Sequence, residues 1–131
     1  MIWTGLTKYR DLGLLVLRVG LGAAFIAHGW DKLIRGPEFW TMVGKMGGFY
    51  FIPTFWGFIA AMIEFGGGIL FALGLLFRPA CLLLVLQMCV ALGHHLRHRD
   101  GFPVYSHALE DGVVFLGMLL IGPGKHSVDR K

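Results

Sequence analysis

An all-α integral membrane four-helix bundle is the fold this sequence predicts, and three observations predict it. Of 131 residues, 56% are hydrophobic and only 15% charged, with a mean hydropathy of +0.67. An ordinary soluble domain carries about 25% charged residues. Four apolar stretches each approach the roughly 20 residues that a membrane helix needs. Glycine, proline and charge gather between those stretches, which leaves short loops. The length allows one membrane domain, residues 1–131. This balance excludes a disordered tail, a nucleic-acid reader and most soluble enzymes. The net charge of +4 does not argue for nucleic acid, because the twelve Lys and Arg are scattered over ends and loops with no basic run longer than two. That scatter suits contact with anionic lipid.

The first span is read from Leu12 to about Leu33 (12–33). It is too long for the apolar region of a signal peptide, carries Arg18 in its middle and lacks a clear small-residue cleavage site. It therefore reads as a retained helix. Between Gly36 and Thr54, Phe39, Trp40, Phe49, Tyr50 and Phe51 stand among glycines. Such aromatics settle at headgroup level, and the segment reads as an interfacial loop in preference to a re-entrant hairpin. The second span runs from Phe55 to about Phe77 (55–77), between Pro53 and Arg78-Pro79. Gly66-Gly67-Gly68 within it forms, with Ala72, a close-packing face rather than a phosphate loop. The third span runs from Pro79, a favoured first-turn residue, to about His95 (79–95). Cys81 and Cys89 within it lie about 12 Å apart along a helix, too far for a disulfide, and read as small apolar residues. The fourth span, from about Ser106 to Ile121 (106–121), is short and is stopped by Gly122-Pro123-Gly124.

An even number of spans puts both chain ends on one side. That side carries Lys8, Arg10, Arg78, Lys125, Arg130 and Lys131, against Lys32, Arg35, Lys45, Arg97 and Arg99 on the other. The excess points to both ends in the cytoplasm.

Depth from the chain-end side, at about 1.5 Å per residue, sorts the intramembrane polar residues into two layers. Arg18, Gln87, Glu64, Glu110 and Asp111 fall between roughly 9 and 18 Å, and His28, His94 and His107 between roughly 22 and 24 Å. Ionisable groups in hydrocarbon turn inward and pair. Arg18 and Glu64 are therefore expected to pair or to share a network with Gln87, Glu110 and Asp111. The plain alternative is that this network only locks the helices together.

His28, His94 and His107 come from three different spans at one depth. Glu110 and Asp111 follow His107 at i+3 and i+4, on the same helix face, where they can hold its ring. His94, His95 and His98 form an HHxxH cluster, in which His95 and His98 reach toward water. Several readings stay open. Two histidines could be axial ligands of haem b. His28, His94 and His107 could hold a zinc, copper or iron ion. They could hydrogen-bond a quinone and move its protons, since imidazole titrates near neutral pH. Or they could simply pack.

The residues resemble the DoxX/DoxD family of small bacterial and archaeal membrane proteins, from about Leu14 to Asp129. The resemblance rests on Leu17-Arg18-Val19-Gly20, His28-Gly29 and Lys32-Leu33, then Glu64, Gly67-Gly68, Leu73-Gly74-Leu75 and Arg78. It ends with Glu110, Gly122-Pro123-Gly124, Ser127 and Asp129. It implies a four-helix membrane bundle, with Arg18 and Glu64 on recurring polar positions. Some relatives serve a quinone-linked sulfur oxidoreductase, and others accompany proteins handling oxidative or thiol stress. The resulting expectation is a redox-associated subunit that binds quinone, haem or metal, is bathed in membrane lipid and works with a partner oxidoreductase subunit or as a homo-oligomer. A non-catalytic assembly or anchoring protein is the alternative, and a small transporter or proton relay a weaker one, suggested by the intramembrane acids.

Overall fold

The computed structural model describes residues 2–129; the terminal cations Arg130 and Lys131, and Met1, lie outside the described residues. A 3-10 turn at Thr4–Tyr9 leads into α1 (Arg10–Arg35), followed by α2 (Pro37–Met46), α3 (Pro53–Leu73), α4 (Phe77–Arg97) and α5 (Phe102–Ile121). Four of these, α1, α3, α4 and α5, are long and apolar enough to cross a membrane. The ten residues of α2 reach only about 15 Å and cannot.

α1 buries Leu14, Arg18, Gly22, Phe25 and Gly29, a three-to-four-residue spacing that puts one stripe against the bundle. That stripe lies on α3 at nearly backbone distance. A Cβ added at Gly29 would stand 2.3 Å from the Phe65 nitrogen, and one at Gly22 would stand 2.7 Å from the Ala72 Cβ. Small residues allow such approaches where lipid removes the hydrophobic drive between helices. Gly68 meets Ile26 in the same seam, and Gly67 faces Leu84 of α4. Gly67 and Gly68 thus pack toward two helices, whereas a Cβ at Gly66 would meet nothing within 4 Å.

Each long helix gives one ring to the centre: Phe25, Phe71, Phe77 and Phe115. Phe25–Phe115, Phe71–Phe77 and Phe71–Phe115 have centroid distances of 4.9, 5.1 and 5.2 Å. Two of the three pairs are edge-to-face, as the ring quadrupole favours. Cys81 is fully buried beside this core, Cys89 is exposed, and both are free thiols.

The aromatic segment after α1 corrects the loop reading: most of it is α2. Pro37 supplies a first-turn φ without needing a hydrogen bond. The helix then gains packing that a loop would forgo. Trp40 Nε1 donates to the Lys32 carbonyl at 2.9 Å, and the Trp40 ring packs on Phe58 with centroids 5.0 Å apart. Gly44 and Gly57 let α2 lie directly on the start of α3.

Helix ends also depart from the spans read by hydropathy. α3 stops at Leu73 because Gly74 takes a left-handed φ of 67° and caps it. α4 begins at Phe77, ahead of Pro79, because the Asp129 carboxylate accepts from the Leu76 and Phe77 nitrogens at 3.0 and 2.8 Å. α5 begins at Phe102, with Pro103 in its first turn. After α5, residues 122–129 form a strap across the end of the bundle. Val128 N donates to Leu73 O at 3.1 Å, Asp129 N to Gly74 O at 2.9 Å, and Lys125 N to Asp11 Oδ1 at 3.2 Å.

Candidate functional site

Glu64, midway along α3, organises the polar chemistry of the half of the bundle away from the strap. Its Oε1 accepts from Lys32 Nζ at 2.5 Å and from Gln87 Nε2 at 2.9 Å. Gln87 also donates to Ala60 O at 3.0 Å, which fixes its amide. Three helices thus meet at one carboxylate: α1 through Lys32, α3 through Glu64 and α4 through Gln87. Glu64 is buried and its Oε2 has no hydrogen-bond partner among the described residues. A buried acceptor left in this way is costly unless something else supplies a donor.

These three residues line a cavity of about 530 Å³ between α2, α3 and α4. Its walls are mainly apolar and include Met42 and Met46 of α2, Trp56 and Ile59 of α3, and Leu83 and Val90 of α4. His94 and His95 also line it, about two turns of α4 beyond Gln87. His94 Nδ1 is a second buried, unpartnered polar atom among the described residues. His95 Nδ1 pairs with Asp100 at 2.7 Å, and His94 packs on His98 with ring centroids 4.2 Å apart. An apolar cavity with a few convergent polar groups, in the usual range of about 300–1,000 Å³, is what small-molecule sites look like.

The polar network expected from sequence is therefore split. Arg18 does not pair with Glu64. It is 1% exposed and donates through Nη1 to Ala72 O at 3.1 Å and through Nη2 to His126 O. It finds the carbonyl end of α3, which carries partial negative charge, and the strap, both at its own depth. Glu64 lies about 12 Å further along α3 than Ala72. Its cation is Lys32, which sequence reasoning places among the surface charges. The signal was present: Lys32 continues the α1 stripe of Arg18, Gly22, Phe25 and Gly29 at the same spacing. Gln87 does join Glu64.

Glu110 and Asp111 belong to neither cluster. Glu110 is exposed and Asp111 half-buried on α5, with His107 and His28, both exposed, near Asp111. His28 stands edge-on to Phe25 at 6.2 Å. The three histidines are thus divided between two places, His94 at the cavity and the other two at the α1–α5 surface. Among the described residues no three His, Cys, Asp or Glu side chains are grouped to hold a metal ion, so the three-histidine centre is not formed. A haem held by two helices would need histidines from both facing one cavity. This cavity has histidines of α4 alone.

The comparisons with known proteins agree with this architecture. The DoxX family profile matches residues 13–96, which carry Arg18, Lys32, Glu64, Gln87 and His94. The chain is 29% identical over 126 residues to the inner membrane protein YqjF of Escherichia coli K12, covering 94% of each chain. It is 31% identical over 134 residues to an uncharacterised protein of Haemophilus influenzae, covering 96% of this chain and 95% of that one. No solved structure matches it. With four membrane-length helices and that profile over most of its length, the chain is a multi-pass membrane protein of the DoxX family.

Proposed function

We propose that the chain is a redox-associated membrane subunit whose α2–α3–α4 cavity takes a quinone headgroup and presents it to a partner oxidoreductase. The single observation that carries this reading is the mainly apolar cavity of about 530 Å³ lined by the Lys32–Glu64–Gln87 cluster. Lys32 has ammonium hydrogens beyond the one given to Glu64, and these donate to a carbonyl oxygen. Glu64 Oε2 accepts from a hydroxyl, so the same floor holds both the carbonyl and the hydroxyl form of a headgroup. Met and aromatic walls suit a flat ring and an isoprenoid tail. His94 and His95, at the aqueous end, are placed to exchange a proton with water. His28 and His107 lie too far round the bundle to be quinone ligands and become candidates for a protein contact.

The test is solvent extraction of the detergent-purified protein, with absorbance and mass analysis of the extract. The expected result is a bound quinone that Glu64→Leu and Gln87→Leu each deplete, and that His28→Ala retains. An extract without quinone, from protein whose absorption spectrum also lacks a Soret band, removes the reading.

A second reading, a non-catalytic assembly or anchoring subunit, is favoured by the α1–α5 surface. His28, His107 and Glu110 are exposed there at depths where hydrocarbon makes ionisable groups costly. A partner subunit or a second copy covering that surface would satisfy them. Co-purification of a fixed partner with protein that yields no quinone selects this reading. In either case both chain ends face the cytoplasm in our proposal, on the strength of the cation excess at that end.

A further inference from the structure

A second cleft, of about 1080 Å³, opens at the end of the bundle that carries the strap. It lies between the starts of α1 and α4, the end of α5 and the strap itself. Because two membrane-length helices begin there and a third ends there, the cleft sits at the level where lipid headgroups lie.

Its charged lining is Arg10, Arg78, Lys125, Asp11 and Asp129. The two acids are already engaged. Asp129 uses both oxygens on the Leu76 and Phe77 nitrogens. Asp11 accepts from the Lys125 nitrogen at 3.2 Å, and its other oxygen stands 3.9 Å from Lys125 Nζ. Among the described residues neither Arg10 nor Arg78 has a carboxylate partner. Arg78 is held at the cleft by geometry: a Cβ at Gly122 would stand 3.3 Å from its Nη2, so the strap glycine leaves the guanidinium room. Leu76, Ile121 and Val128 at the rim are exposed and apolar. Among the described residues the cleft thus offers two guanidinium groups without a carboxylate partner, and a greasy border.

We propose that this cleft binds a phosphate group, that of an anionic phospholipid, with Arg10 and Arg78 on the phosphate oxygens and the acyl chains leaving over Leu76 and Ile121. Guanidinium suits phosphate because its planar fork donates two parallel hydrogen bonds. Two uncommitted cations favour a headgroup without its own ammonium. The engaged acids keep the strap in place rather than compete for the ligand. The inference is independent of the quinone reading, since it concerns the opposite end of the bundle.

The experiment uses the full chain in detergent, titrated separately with dioleoylphosphatidylglycerol, dioleoylphosphatidylcholine and inorganic phosphate, and read by native mass spectrometry and thermal melting. The expected result is retention of phosphatidylglycerol over phosphatidylcholine by at least about fivefold, the size expected for one cation at an anionic headgroup. The double variant Arg10→Gln, Arg78→Gln loses the preference, while Arg97→Gln, Arg99→Gln at the other end of α4 keeps it. Equal retention of the two lipids by the natural chain overturns the proposal without reference to any variant. So does an unchanged preference in the Arg10, Arg78 double variant. Stabilisation by inorganic phosphate alone, equal to that by phosphatidylglycerol, overturns the lipid source and assigns the cleft to free phosphate.

Discussion

Lys32 and Glu64 form the closest ion pair among the described residues, yet their surroundings differ. The Glu64 side chain is 6% exposed and that of Lys32 27%. Removing the lysine leaves a buried carboxylate with only the Gln87 amide, whereas removing both leaves an apolar contact. Losing one partner of a buried pair costs about 3–5 kcal/mol, and losing both can be nearly neutral. Partial exposure of Lys32 moves the expected cost to the lower end. Lys32→Leu is thus expected to lower the melting temperature more than Lys32→Leu, Glu64→Leu does, while both variants lose any ligand of the cavity. Strict additivity of the two single changes in thermal melts rules the pairing out. The same comparison with Arg18 and Glu64 is expected to be additive, since these two share no partner. Residue-scale chemistry was only partly legible beforehand. Depth along a helix follows from counting, so the Gln87–Glu64 contact could be anticipated. Azimuth does not, and Arg18 turns to carbonyls at its own level while Lys32 turns inward from the end of its helix.

α2 is the element least visible in the sequence. Ten residues rich in Phe, Trp and Met show no membrane-length run, and its stability comes from the surface it covers on α3. Gly57 carries that contact. A Cβ there would stand 1.7 Å from the Trp40 carbonyl oxygen, whereas one at Gly66 meets nothing within 4 Å. Gly57→Ala is expected to force α2 away from α3, costing about 1–3 kcal/mol and opening the cavity wall. Gly66→Ala is expected to be neutral or to gain up to about 1 kcal/mol from the helix interior. Melting curves and ligand retention of the two variants check the contrast; similar losses for both would refute this account of the α2 seat. The four long helices, by contrast, were legible because lipid demands length and apolarity that no soluble helix needs. Their ends were less so: the local Gly74 cap falls inside an apolar run, and the start of α4 depends on Asp129, 52 residues on in the chain.

Across the whole molecule, the residues that carried the family resemblance sort by place. Arg18, Gly74, Arg78, Gly122, Ser127 and Asp129 gather at the strap, whereas Lys32 and Glu64 lie at the cavity. In our proposals the second group binds a ligand and the first, Arg78 apart, is architecture, a division that order along the chain could not reveal. Removing the strap separates them in practice. A chain ending at Ile121 deprives Arg18 of the His126 carbonyl, and α4 of the Asp129 cap. Such a truncation is expected to accumulate poorly in the membrane, and Arg18→Leu to restore part of its level. Immunoblots of membrane fractions measure this, and a truncated chain as abundant as the full one would show the strap to be dispensable.

The bond from Arg18 to His126 spans 108 residues, and that separation orders events in time. The ribosome delivers α1 first, with its arginine in place, the Ala72 carbonyl with α3, and the His126 carbonyl only after α5. Until the strap emerges, the guanidinium has at most one of the two carbonyls that solvate it in the folded bundle. The insertion machinery must shelter it meanwhile. Closure of the bundle around Arg18 therefore waits for the strap, and a protein cut short before it would present membrane proteases with an arginine that lacks one of its two carbonyls.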